Sequence, residues 1–246
     1  MAKNIKSNIY DKSAIYTLIE MEEKNEIYKY MQEYLDRFDD AQLAYIIKTI
    51  IERNKISLMN MMIYDFNFDV TYSNDIVVVW CSSTNNIEMM QLLINHGADI
   101  HTRKYSKNVI YTIRRDMNWI DANEFIDDDY AFYNAIVNSK YHMVKFLLDA
   151  GVDPNACDGR AFLRGLMTYE ITKLLIDYGA DVTIQNNEAL RRIVYDKNYF
   201  IIKLLIDNGA DPNVINKMGT DPDEDILITY LIENGVDPIA LLKIWK

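Results

Sequence analysis

One block recurs along this chain and constrains everything else: an apolar run ending in Gly-Ala-Asp or Gly-Val-Asp. It reads MQLLINHGADI, VKFLLDAGVDP, TKLLIDYGADV, IKLLIDNGADP and ITYLIENGVDP, with its glycines at Gly97, Gly151, Gly179, Gly209 and Gly235. A sixth, degraded copy is MNMMIYDFNFDV, in which Asn67 takes the place of the glycine. Asn substitutes naturally there, because it too tolerates the left-handed backbone that ends a helix. Five of the eight glycines and three of the four prolines (Pro154, Pro212, Pro238) sit in these copies.

Each copy predicts the same local structure. Ile171, Leu174, Leu175 and Tyr178 fall on one stripe at helical spacing, as do Ile201, Leu204, Leu205 and Asn208. The glycine caps the helix C-terminus. The Asp two residues on bonds local backbone, and the proline after it stops the helix from resuming. A second helix is expected before each of these, at 75–84, 130–139, 160–168 and 187–196. Successive glycine positions lie 30 residues apart (67 to 97), then 54, 28, 30 and 26. All but the 54 suit a repeat of two helices, and the 54 holds either a second decayed unit or an insertion. Short helices of this kind bury their apolar faces only by stacking on neighbouring copies.

A helix ending in L-L-x-x-G-A-D-V/P-N resembles the second helix and finger of the ankyrin repeat over roughly residues 42–238. Gly151 to Asn155 and Gly209 to Asn213 match most closely. The family's T-P-L-H box is absent; Ile76-Val77-Val78-Val79, Tyr130-Ala131-Phe132-Tyr133 and Glu188-Ala189-Leu190-Arg191 stand in its place. The repeats are shorter than the usual ~33 residues, so clipped fingers with poor or missing β-hairpins are expected. The resemblance implies an all-α, ankyrin-type helical solenoid with shortened, irregular repeats and helical end caps. Its expected organisation is an N-terminal helical cap over 1–41, repeats over 42–238 and a C-terminal capping helix over 237–246, opened by Asp237 and Pro238 and carrying Trp245. Within 13–64 the helical stretches follow one another, and Asp39 or Asp40 is placed to cap the second. Usage rich in Ile, Asn, Lys and Tyr suits an AT-rich genome. With the repeat, it resembles the ankyrin-repeat proteins of large DNA viruses of amoebae, and next those of an intracellular bacterium.

The resemblance also implies a use: a concave surface of finger loops and first helices that binds another protein. The side chains expected there are Arg103, Lys104, Tyr105, Tyr130, Tyr133, Arg160, Arg164, Arg191, Arg192 and Lys217, since Arg and Tyr anchor interfaces well. The segment 101–129 departs most from the repeat. It is either a decayed repeat, with Val109, Ile110, Ile113, Trp119 and Phe125 in the core, or an elaborated recognition loop.

Other chemistry is hard to place. A net charge of -11 argues against nucleic acid and anionic membranes as general partners. No apolar run suits a signal peptide or a membrane span, so a cytoplasmic protein is expected, in the host cytoplasm for a viral one. Cys81 and Cys157 read as reduced, packed thiols. His96, His101 and His142 lack neighbours at metal-ligand spacing. A calcium loop starting at Asp221 would need Gly and Glu where Ile226 and Ile232 stand; the acidic run instead suits the first turn of a helix. No phosphate loop or nucleophile motif is present. The reading is a monomeric interaction module, a scaffold or adaptor with no catalytic residue, metal or cofactor; the alternatives are a self-assembling virion component and an undetected enzyme.

Overall fold

The computed structural model describes residues 12–21, 23–101, 129–217 and 225–237, and these are helical throughout with no strand among them. The helices are α1 (Lys12–Met21), α2 (Lys24–Tyr34), α3 (Asp40–Glu52), α4 (Ile56–Phe66), α5 (Tyr72–Ser82), α6 (Ile87–Asn95), α7 (Tyr130–Val137), α8 (Tyr141–Asp149), α9 (Arg160–Gly165), α10 (Tyr169–Asp177), α11 (Ile184–Tyr195), α12 (Tyr199–Asp207) and α13 (Asp225–Glu233). Short 3-10 turns lie at Leu35–Arg37 and Pro212–Lys217. The fold is thus an all-α helical repeat, and the chain divides into two units, 1–143 and 144–246.

In the first unit α1 packs on α2 and α3, α3 on α4 and α5, and α5 on α6 and α7. Asp39 caps α3: its side chain accepts from the Gln42 amide at 2.8 Å, and Gln42 Oε1 accepts from the Asp39 amide at 2.9 Å. The run Ile76-Val77-Val78-Val79-Trp80 has the composition of a strand, yet it forms a helix. Packing decides this, because α5 lies between α3 and α7 with every one of these residues buried. Burial on two sides outweighs the few tenths of a kcal/mol per residue by which β-branched side chains disfavour helix. Asn134 of α7 is also buried here, donating to the Val79 carbonyl at 2.9 Å and to Ser82 Oγ at 3.0 Å.

In the second unit α9 packs on α10 and α11, α10 on α12, and α11 on α12 and on the 3-10 turn at 212–217. Phe162, Leu175, Leu190, Ile201, Ile202 and Leu205 are fully enclosed in this core. The acidic run Asp221 to Glu224 and the segment 238–246 fall outside the described residues, as does most of 101–129.

The ends of the second helices share one geometry. The five repeat glycines have φ between +91° and +99°, and Asn67 has φ +50° at the end of α4. After each glycine the next amide reaches back five residues, as Ala180 does to the Leu175 carbonyl at 2.9 Å, which satisfies a carbonyl that the helix leaves open. The Asp that follows then accepts from the amide two residues on, for example Asp153 from Asn155 and Asp181 from Thr183, both at 2.8 Å. A second contact ties several of these fingers to the repeat before them. The amides of Asp181, Asp211 and Asp237 donate to the side-chain oxygens of Asn155, Asn187 and Asn216 at 2.7, 2.8 and 2.7 Å. In the first unit Asp99 does the same to Asp75 at 3.0 Å.

Asp75 is the charged member of that set, and its carboxyl pKa lies above the usual carboxylate value. Partial burial is the main cause; the Asp99 amide opposes it, and the Asp99 and Asp69 carboxylates add to it. A raised folded pKa means that ionisation costs stability as pH rises past the ordinary carboxylate value. Asp75→Asn keeps an acceptor for the Asp99 amide and tolerates the φ of +60° found there. We expect Asp75→Asn to gain about 0.5 kcal/mol at pH 7 after solvent screening. The gain should vanish as acid neutralises Asp75. Urea unfolding at pH 7 and at low pH checks this, and a variant less stable than the native protein at pH 7 refutes it.

Candidate functional site: the first helices of the second unit

Helices α9 and α11 are the first helices of two successive repeats. On their core side Ala161, Phe162 and Leu163, then Ala189, Leu190, Ile193 and Val194, are buried. The remaining positions on the two helices carry four arginines. Arg160 is half-buried, and its Nε donates to the Cys157 carbonyl at 3.1 Å, which fixes it beside the helix start. Arg164, one turn on, is also half-buried. On α11, Arg191 has its Nε buried without a hydrogen-bond partner among the described residues. Arg192 is exposed, and its Nε meets Glu188 Oε1 at 2.8 Å within the same helix. An exposed pair at this spacing is worth at most a few tenths of a kcal/mol and leaves Arg192 available.

The entry to each first helix is a left-handed residue: Gly159 before α9 (φ +76°) and Asn187 in α11 (φ +61°). Gln185, Asn186 and Asn187 are all left-handed, so the regular part of α11 begins only at Glu188. This short left-handed turn aims Asn187 at the next finger, and Gln185 Nε2 donates to the Asp158 carbonyl at 2.9 Å. At the other end of the two helices lie Met167 and Tyr195, 70% and 57% exposed.

The second helices of this unit present a different surface. Lys145 meets Asp149, Lys173 meets Asp177 and Lys203 meets Asp207, each at 2.7 Å and each pair four residues apart. The Tyr178 hydroxyl donates to Asp149 and accepts from Lys145, while the Tyr230 hydroxyl donates to Asp207 at 3.0 Å. These partners hold the Asp149 and Asp207 carboxyls below the usual carboxylate range, Lys145 and Lys203 being the main causes. Charge on these helices is therefore largely matched within itself.

The other residues expected at the binding surface are placed as follows. In the first unit Tyr130 is 6% exposed, so it belongs to the packing rather than to a surface, and burial pushes its hydroxyl pKa upward. Its ring stacks on half-buried Tyr133 at 6.2 Å between centroids. Lys217 ends the 3-10 turn, its side chain lying outside the description, and Arg103, Lys104 and Tyr105 lie outside the described residues altogether. His101 Nδ1 meets Asp129 Oδ1 at 2.8 Å, and His96 Nε2 meets the Tyr64 hydroxyl at 3.0 Å. Among the described residues no group of three or more His, Cys, Asp or Glu could hold a metal ion. Cys81 is buried, which pushes its thiol up to about 12.

Met167 and Tyr195 were not singled out by the sequence, although a signal exists. Each lies sixteen residues after its repeat glycine, an apolar side chain at the turn between the two helices where a polar one would serve.

The spacing of helices, left-handed caps and fingers from α7 to the 3-10 turn has a counterpart among known families. Residues 132–216 match the family model described as ankyrin repeats, in three copies. No curated protein matches the chain. The ankyrin match covers about a third of the chain and takes in α9, α11 and all four arginines. Ankyrin repeats are in general protein–protein interaction modules, and proteins built from them are typically not enzymes. The first unit's earlier helices lie outside the matched span.

Proposed function

We propose that this protein is an interaction module, a scaffold or adaptor that docks onto a host-cell protein through the first helices of its repeats and catalyses nothing itself. The observation that carries this reading is the ankyrin match over 132–216 around a face bearing Arg160, Arg164, Arg191 and Arg192. Arginine combines a planar, multidentate cation with a long apolar stem, so a row of them can anchor a partner without a deep pocket. The likeness of its composition and repeat to the ankyrin-repeat proteins of large DNA viruses of amoebae supports a role in the cytoplasm of an infected cell. No helix among the described residues is long and apolar enough to cross a membrane.

The test is an affinity pull-down from host-cell lysate, read by mass spectrometry. It runs beside a variant with the four arginines changed to Glu, whose helical circular dichroism is checked first. A protein captured by the native chain and lost with the variant supports the reading. If nothing specific is captured and light scattering shows large assemblies, a self-assembling component replaces it.

A further inference from the structure

The geometry points to an acidic segment with interspersed apolar side chains as the partner of α9 and α11. This rests on the reading of the protein as an interaction module and names the chemistry that the module takes. Charge is the first argument. The chain carries a net charge of -11, yet four of its nine arginines fall within residues 160–192, all on these two helices. The same helices, from Arg160 to Gly165 and from Glu188 to Tyr195, contain one acid, Glu188. Asp158 and Asp196 are exposed and flank their ends. The second helices α8, α10 and α12 carry no such excess: Lys145, Lys173 and Lys203 are outnumbered by Asp149, Glu170, Asp177 and Asp207 of the same helices. The unit therefore segregates surplus positive charge onto one set of helices, where electrostatic complementarity selects a negative partner.

Register is the second argument. Arg164 and Arg192 both lie thirteen residues after their repeat glycines, and Met167 and Tyr195 both lie sixteen after. Since α9 and α11 pack on each other, these positions form two rows that cross both helices, one cationic and one apolar. Packed helices lie about 8–10 Å apart, close to the rise of about 9 Å over three residues of a polyproline-II chain, whose side chains return to one face every third residue. A carboxylate at every third position can thus follow the arginine row. Three residues further along the chain, Met167 in the turn after α9 and Tyr195 at the end of α11 are open enough (70% and 57% exposed) to take large apolar side chains from the same segment. The two rows together favour a partner with both kinds of side chain over a simple polyanion.

The experiment is fluorescence anisotropy of the full chain with a labelled peptide of repeated Glu-Glu-Leu, about twelve residues long and so able to span both helices. Peptides of Glu-Glu-Ser and Lys-Lys-Leu serve as controls. We expect the Glu-Glu-Leu peptide to bind, the Lys-Lys-Leu peptide not to, and affinity to fall with added salt. Arg164→Gln with Arg192→Gln should weaken binding about tenfold or more, and Met167→Ser with Tyr195→Ser severalfold. Lys203→Gln on α12 should change nothing. Arg192→Gln alone, at an exposed position, guards against a loss that merely reflects misfolding, and it should still weaken binding. The proposal is overturned if the lysine peptide binds equally, if the arginine variants bind as the native chain does, or if Glu-Glu-Ser matches Glu-Glu-Leu. If a lysate partner depends on the four arginines while the Glu-Glu-Leu peptide fails to bind, this proposal falls and the interaction-module reading stands.

Discussion

Gly159→Ala is expected to destabilise the protein by about 3 kcal/mol, and adding Ile184→Ala should restore most of that loss. Two costs combine. Gly159 sits at φ +76°, where a side chain costs about 1 kcal/mol. Its neighbours in register show that this cost alone is tolerable, since Asp75 and Asn187, each eight residues after the glycine position, adopt φ +60° and +61°. The larger cost is steric. A Cβ at Gly159 would lie 2.8 Å from Ile184 Cγ1 and 3.0 Å from its Cγ2, with Cδ1 nearer still. Because Cγ2 is attached directly to the Ile184 Cβ, turning the tip of the side chain cannot clear the space. Ile184 opens α11 and stands against the entry of α9, so the clash pushes two successive repeats apart. Urea unfolding of the two single variants and the double variant measures the coupling. Additive losses would show that Ile184 is not the cause. The arrangement also explains an exception in the finger contacts. Gly159 has no side chain to accept the next finger's amide, and Asn155 accepts from Asp181 instead.

Asn134→Ala is expected to cost about 2–3 kcal/mol, more than its loss of volume alone would suggest. Asn134 is 2% exposed and joins α7 to the C-terminal end of α5. Helices leave their last four carbonyls without internal partners, and Val79 is among those of α5. The Asn134 amide donates to that carbonyl and to Ser82 Oγ, while its own oxygen accepts from Asn138 at 3.1 Å. Truncation removes two buried hydrogen bonds and leaves a void, although the Val79 carbonyl still accepts from Ser82 Oγ at 2.8 Å, so the cost combines lost bonds with lost packing. Ser82→Ala should cost less, because the Val79 carbonyl then retains Asn134. A double-mutant cycle by thermal or urea unfolding should give a coupling of about 1 kcal/mol. A cost for Asn134→Ala below about 0.5 kcal/mol would mean that the network contributes little to packing.

The second helices and their ends were legible because residue type and conformation coincide there: Gly or Asn at the left-handed position, Asp two residues on, apolar residues at helical spacing before them. The entries to the first helices were not. Asp75, Asp129, Gly159 and Asn187 share a left-handed conformation, but three residue types serve it and no fixed box follows. Boundaries moved accordingly: the helices expected over 75–84, 160–168 and 187–196 run over Tyr72–Ser82, Arg160–Gly165 and Ile184–Tyr195, the last regular only from Glu188. The arginines of the candidate surface could be picked out because cations are conspicuous in an acidic chain. Tyr130 was misplaced because an aromatic at a helix start looks the same in sequence whether it packs inward or outward. Met167 and Tyr195 are not distinguished in sequence from core residues, because apolar side chains near a helix end ordinarily pack inward, and only the tertiary packing decides which remain open.

The finger contact from Asp211 to Asn187 carries a consequence for how such chains grow. The acceptor sits near the start of one repeat and the donor near the start of the next, so a single period contains both halves of a bond that only forms between periods. A copied stretch of 30 residues, the distance from Gly179 to Gly209, would arrive with a socket for its successor and a plug for its predecessor. Duplication or loss of one such period therefore leaves this finger contact unbroken inside the array. Length becomes a quantity that mutation can adjust in whole steps, while the residues displayed on each step remain free to diverge.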